Sequence, residues 1–135
     1  MSWMSYCDLL LKDGCKAAAL VEIENGVVWA QTEGLEVQES EGIEAGKLLK
    51  ALGDEFDRDS ATRKAMANGI RVGGKSYVFV KSHERSMYGK SGRGGIIISA
   101  TDKVMLIGTF SEDDWPHGPA QAVGKLADYL ESLGY

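Results

Sequence analysis

No apolar run in this 135-residue chain approaches the roughly 18 residues that a membrane-spanning helix needs, so a soluble protein is expected. Cysteine is scarce. Cys7 and Cys15 are the full complement, too few for a disulfide framework although one bridge between them stays open, and an intracellular, reducing location is the simplest inference. His83 and His117 are the only histidines, and neither has the cysteine, histidine or carboxylate spacing of a zinc site. The N-terminus shows neither a basic leader nor a continuous apolar segment, so no secretory signal is expected. Internal repeats and low-complexity segments are absent. Positive charge is in deficit, with 15 Lys and Arg against 20 Asp and Glu, and the net charge of −5 argues against nonspecific nucleic-acid binding. What is present is ordinary for a globular chain, 44% apolar and 26% charged, and residues 1–135 suffice for one domain with its own core.

The charge is unevenly distributed. Residues 1–68 hold 13 acids against 7 bases, whereas residues 69–95 hold Arg71, Lys75, Lys81, Arg85, Lys90 and Arg93 against Glu84 alone. Such a local excess suits a patch for an acidic partner; a solvated strand face accounts for it equally well.

Element signals run the length of the chain. Ser2 can cap a first helix in which Trp3, Tyr6 and Leu10 share a stripe, with Lys12 in its last turn and Gly14 closing it. Two Val- and Ile-rich runs flank Asn25-Gly26, a strong hairpin signal. After an acidic, irregular stretch, Ile43, Leu48, Leu49, Leu52 and Phe56 show helical spacing, weakened by Gly46 and Gly53. A short second helix closes at Asn68-Gly69. Strands follow: IRV and KSYVFVKS about Gly73-Gly74, then GIIISA and VMLIGTF about residues 101–103, with YGKSGRGG read as a Gly-rich connection. The last segment is helical, with Pro119 in its first turn and Val123, Leu126, Ala127 and Leu130 as its apolar stripe. Strands this apolar need cover on both sheet faces, so the terminal helices are placed on one and the middle pair on the other.

Several motifs fail on context. GIRVGGKS, residues 69–76, matches the phosphate-loop pattern GxxxxGK[ST] letter for letter, but that loop requires a strand before it and a helix after it. Here β-prone SYVFV follows, and GGKS reads better as a hairpin turn. Asp57-Arg58-Asp59 opens like a calcium loop but has Thr62 and Asn68 where glycine and glutamate belong. No nucleophile sits in a recognisable elbow.

The aromatics form a more specific pattern. Trp3, Tyr6, Trp29, Tyr129 and Tyr135 lie on the first helix, the first hairpin and the last helix, and converge if the terminal helices lie together across that part of the sheet. A terminal helix packed inward explains Trp3 and Tyr6 as well. A set of ring faces with N–H and O–H donors at their edges is what a polyproline II segment recognises, because its carbonyls are unpaired and its proline rings stack.

SWxxYCDLLL at the start, VVWAQT, GGKSYVFV, YGKSGRGGIII and the closing LADYLESLGY, in this order and spacing, strongly resemble profilin over essentially the whole chain. The resemblance implies an α/β fold of the α+β kind: a central antiparallel meander of six to seven strands, N- and C-terminal helices on one face and middle helices on the other. It implies a protein that is not an enzyme and needs no cofactor or metal. Its partners would be monomeric actin, delivered for filament assembly, and proline-rich proteins such as formin-type actin assembly factors, with phosphatidylinositol bisphosphate at membrane surfaces as a further ligand and no nucleic acid. The location implied is cytoplasmic and cytoskeleton-associated. The polyproline site would be Trp3, Tyr6, Trp29, Tyr129 and Tyr135; the actin face would use Arg71, Lys75, Lys81, Lys90, Arg93, His117, Gly118, Gln121 and Lys125. Two features depart from the family pattern: Trp115-Pro116-His117 leads into the last helix, and Ser76 stands where lysine is common. Other meander-plus-helix folds stay open as alternatives, a PAS-like small-molecule sensor and a longin- or roadblock-like trafficking scaffold.

Overall fold

Strands that are apolar at every position must be covered twice, and the structure, a computed structural model, does so. It describes residues 2–111 and 117–135, without the His117 side chain. In chain order the elements are α1 (Trp3–Lys12), β1 (Ala17–Glu22), β2 (Val28–Gln31), α2 (Glu39–Leu52), α3 (Arg58–Asn68), β3 (Ile70–Val72), β4 (Lys75–His83), β5 (Ser86–Ser91), β6 (Gly94–Ala100), β7 (Val104–Phe110) and α4 (His117–Ser132). The described strands form one seven-stranded antiparallel sheet in the order β2-β1-β7-β6-β5-β4-β3. Side chains alternate between two cores. Ala19, Val21, Ile96, Ile98, Met105 and Ile107 pack with Leu49, Leu52, Ala61 and Ala65 of α2 and α3. Ala18, Leu20, Ile97, Val104 and Leu106 pack with Cys7, Leu10, Val123 and Leu130 of α1 and α4. The expected placement of the helix pairs is therefore observed.

Local signals hold at several points. The Ser2 hydroxyl accepts the Ser5 amide at 3.2 Å and caps α1. Asn25 accepts the Val27 amide at 3.0 Å in the β1–β2 turn.

Three expectations need correction. Helix α2 begins at Glu39, inside the stretch read as irregular, because the Glu41 carboxylate accepts the Gln38 amide at 2.9 Å and closes the first turn. It ends at Leu52, so Phe56 lies beyond it and is 93% exposed. Gly46 does not weaken the element: a Cβ there would stand 2.9 Å from the Ile23 carbonyl oxygen, and its absence lets α2 press against the end of β1. The third correction is YGKSGRGG, which is mostly strand. β5 ends at Ser91, Gly92-Arg93 make the turn, and Ser91 pairs with Gly94 to begin β6.

Candidate binding sites

The C-terminus folds back to complete an aromatic cluster. The Gly134 and Tyr135 amides donate to the Glu131 and Leu130 carbonyls at 3.0 and 3.1 Å, a Schellman closure that turns Tyr135 toward α1. Trp3 then meets Trp29 with ring centroids 4.6 Å apart, Tyr135 at 4.9 Å edge-on and Tyr6 at 5.7 Å. Trp29 and Tyr135 stand 6.2 Å apart, and Tyr6 reaches Tyr129 at 6.3 Å. All five expected rings are in one continuous cluster, with Trp3 at its centre. Their exposure differs, however. Tyr129 is 51% exposed and Trp3, Trp29 and Tyr135 are half-buried, but Tyr6 is 8% exposed. Tyr6 belongs to the core between α1 and α4 and forms the floor of the cluster. The stripe on α1 is thus both core and surface, which a helical period alone cannot divide.

The basic segment is less coherent than its composition. Arg85 donates to Glu131 at 2.8 Å and to Asp102 at 3.0 Å, tying the β4–β5 turn to the end of α4 and the β6–β7 turn. Its charge is neutralised locally and drops out of the patch. Lys75 lies on the strand face of Tyr77, its ammonium 5.6 Å from that ring, which is buried in the core under α2 and α3. Arg71 lies on the other face, donating to Ser76 at 3.3 Å. That other face continues into Val78 and Val80, 68% and 46% exposed, where neither terminal helix covers the sheet. Lys90 pairs across from Val78, and Lys81 across from Tyr88, its ammonium 5.4 Å from the Tyr88 ring. Arg93 is on the β5–β6 turn, and Gly118, Gln121 and Lys125 follow one another along the first turns of α4. His117 starts that helix, but its side chain, like Trp115 and Pro116, lies outside the described residues. The sequence reading missed the two exposed valines. Their signal was alternation in YVFV, which shows two faces but not which one is left uncovered.

GIRVGGKS forms the expected hairpin, and it also explains its own resemblance to a phosphate loop. Gly73 and Gly74 have φ of +66° and +74°, which aims consecutive amides at one point. An anion is there already. Glu41 Oε1 accepts the Gly73 amide at 2.9 Å and Oε2 accepts the Gly74 amide at 2.8 Å, in addition to the Gln38 amide. Burial raises this carboxyl, but the three amide bonds and the Arg71 charge together outweigh it and hold the group below the ordinary glutamate range. No sequence signal linked Glu41 to a turn 32 residues away.

Cys7 and Cys15 are both buried and unbridged, with thiols pushed up to about 11 by burial, Asp8 and Asp13 adding to the effect. Among the described residues no group of His, Cys, Asp and Glu could hold a metal ion, and no helix is long and apolar enough to cross a membrane.

Comparison with known proteins extends over the full length. The family model described as Profilin matches residues 1–135. Profilin-2 of Dictyostelium discoideum is 39% identical over 131 residues, 96% of each chain. The crystal structure of Acanthamoeba castellanii profilin II matches with a TM-score of 0.83 at 32% identity, covering 99% of this chain and 100% of that one. Mouse profilin IIa, solved in complex with a double repeat from the FH1 domain of mDia1, shares the fold with a TM-score of 0.76 at 22% identity over 100% of both chains.

Proposed function

Since the chain belongs to the profilin family, we propose that it binds proline-rich segments through Trp3, Tyr6, Trp29, Tyr129 and Tyr135, binds monomeric actin through the uncovered sheet face, and delivers actin for filament assembly. It acts by binding and not by catalysis. The observation that carries this reading is the unbroken ring contact among residues from α1, β2, α4 and the C-terminus. A stiff polyproline II ligand loses little conformational entropy on docking, and ring faces with polar edges match both its prolines and its carbonyls. Formin-type assembly factors are the expected partner class; the mouse relative bound to an FH1 repeat has the same fold. Titration with polyproline tests the reading directly. Tryptophan fluorescence should change saturably, because Trp3 and Trp29 are both in the cluster; an unchanged spectrum with no retention on immobilised polyproline rejects it.

For actin, Val78 and Val80 supply an apolar centre, with Lys90 paired across from Val78 and Lys81 next to Val80 along β4, and Arg71, Arg93 and Lys125 are the cations assigned to the rest of its rim. Apolar centres with charged rims are the usual composition of such interfaces. Lys75, on the opposite strand face, reaches the partner only from the hairpin's edge. Charge reversal at Lys81 should weaken actin binding at low salt and lose part of its effect as salt rises, since rim charges act mainly on association. Unchanged affinity in the combined Lys81→Glu, Lys90→Glu, Arg93→Glu protein would show the face to be wrong.

The same cations suit the head group of phosphatidylinositol bisphosphate. Sedimentation with liposomes should recover more protein when that lipid is present; equal recovery at low salt removes it as a ligand.

A further inference from the structure

Glu41 lies outside both proposed binding surfaces, yet it is 8% exposed, ionised and bonded to three backbone amides. A buried carboxylate needs partners of this kind to offset its desolvation. What the partners gain is less obvious. Two of them belong to Gly73 and Gly74, whose positive φ values aim their amides as a phosphate loop does. Without that carboxylate the two amides, on glycines that are themselves exposed, would turn to water, and the short β3–β4 hairpin would lose its only side-chain anchor to α2 among the hydrogen bonds described. Arg71 and Ser76 lie directly beside this turn, paired across it, on the face that carries Val78 and Val80.

We propose that Glu41 is a positioning residue: an internal anion seated in the Gly73–Gly74 amide nest, which sets the β3–β4 hairpin and Arg71 in the geometry the acidic partner requires. The nest is thereby a small-oxyanion site occupied in cis. The proposal rests on the actin-face reading for its consequence, but not for the nest itself. Two features separate this role from ordinary hairpin stability. The nest should accept a free carboxylate once Glu41 is shortened, and the effect on the partner should pass through Arg71.

The test uses the full chain with Glu41→Ala and, should that variant unfold, the isosteric Glu41→Gln. Titration of Glu41→Ala with formate, followed by the amide resonances of Gly73 and Gly74, should give saturable shifts that chloride at equal ionic strength does not reproduce and that the parent protein does not show. For actin binding, Glu41→Ala, Glu41→Gln and Arg71→Ala should each lower affinity on the order of fivefold, and the Glu41→Gln, Arg71→Ala pair no further than either alone. Formate should restore Glu41→Ala and leave Arg71→Ala unchanged. Additive losses, or a Glu41→Gln protein that binds actin as the parent does, overturn the positioning role. Absence of formate-dependent shifts in a folded Glu41→Ala protein overturns the nest. If Arg71→Ala binds actin normally, the hairpin is not part of the docking face, and the positioning role falls while the nest is judged by the formate titration.

Discussion

Replacing Trp3 with alanine is expected to reduce affinity for polyproline by about 2 kcal/mol or more, the range of a central aromatic anchor. Trp3 touches three of the other four rings, at 4.6, 4.9 and 5.7 Å, so its removal both deletes a stacking face and frees Trp29 and Tyr135 from their common neighbour. The variant also loses contacts between α1 and the sheet, and thermal unfolding must accompany the binding measurement. Tyr135→Ala separates the two effects: the residue lies beyond α4, is half-buried, and should cost binding with a smaller loss of stability. The contribution of a single hydroxyl is best read at Tyr129, which is 51% exposed, and not at Tyr6, which is buried. Tyr129→Phe keeps the ring and should cost about 1 kcal/mol if its O–H donates to the ligand. Affinity should change little with salt, in contrast to actin binding, because neutral rings and dipoles carry it. Folded Trp3→Ala and Tyr135→Ala proteins that both bind polyproline normally would mean that the cluster is only a packed junction of the terminal helices.

Glu41→Gln is expected to lower the folding stability of the chain by about 2 kcal/mol at neutral pH, since charge-assisted bonds are exchanged for weaker ones and an amide N–H₂ is turned toward backbone N–H groups. The pH dependence follows from the direction of the shift. The folded carboxyl titrates below its ordinary value of 4.5, so the unfolded chain takes up the proton first as pH falls. The stability that Glu41 contributes is therefore present in full above 4.5 and is lost progressively as pH drops through the folded value. Denaturant unfolding of the parent and Glu41→Gln proteins should give curves that differ at neutral pH and converge in acid. A difference that stays constant down to strongly acidic pH would show that the charge of Glu41 is not what stabilises the fold.

Much of this molecule was legible along the chain. Helix α1 with its Ser2 cap, the turns at Asn25-Gly26 and Gly73-Gly74, and the residues of the aromatic cluster all rest on interactions within a few positions or on side-chain type, and periodicity reports such features. The reading failed where an element depends on something distant. Helix α2 starts where Glu41 can satisfy the Gln38 amide and the β3–β4 turn at once. β5 has too few apolar residues to announce itself and exists because β4 and β6 pair with it on both sides. Composition placed Arg85 in a basic patch, but Glu131, 46 residues away, and Asp102 removed it from there. Tyr6 and Tyr129 are alike as letters, and the packing of α1 against α4 buries one and exposes the other. A side chain's chemistry and its local period belong to its own stretch of backbone, whereas burial, pairing and charge compensation are set by whichever remote segment arrives to cover it, and they exist only once the sheet has assembled.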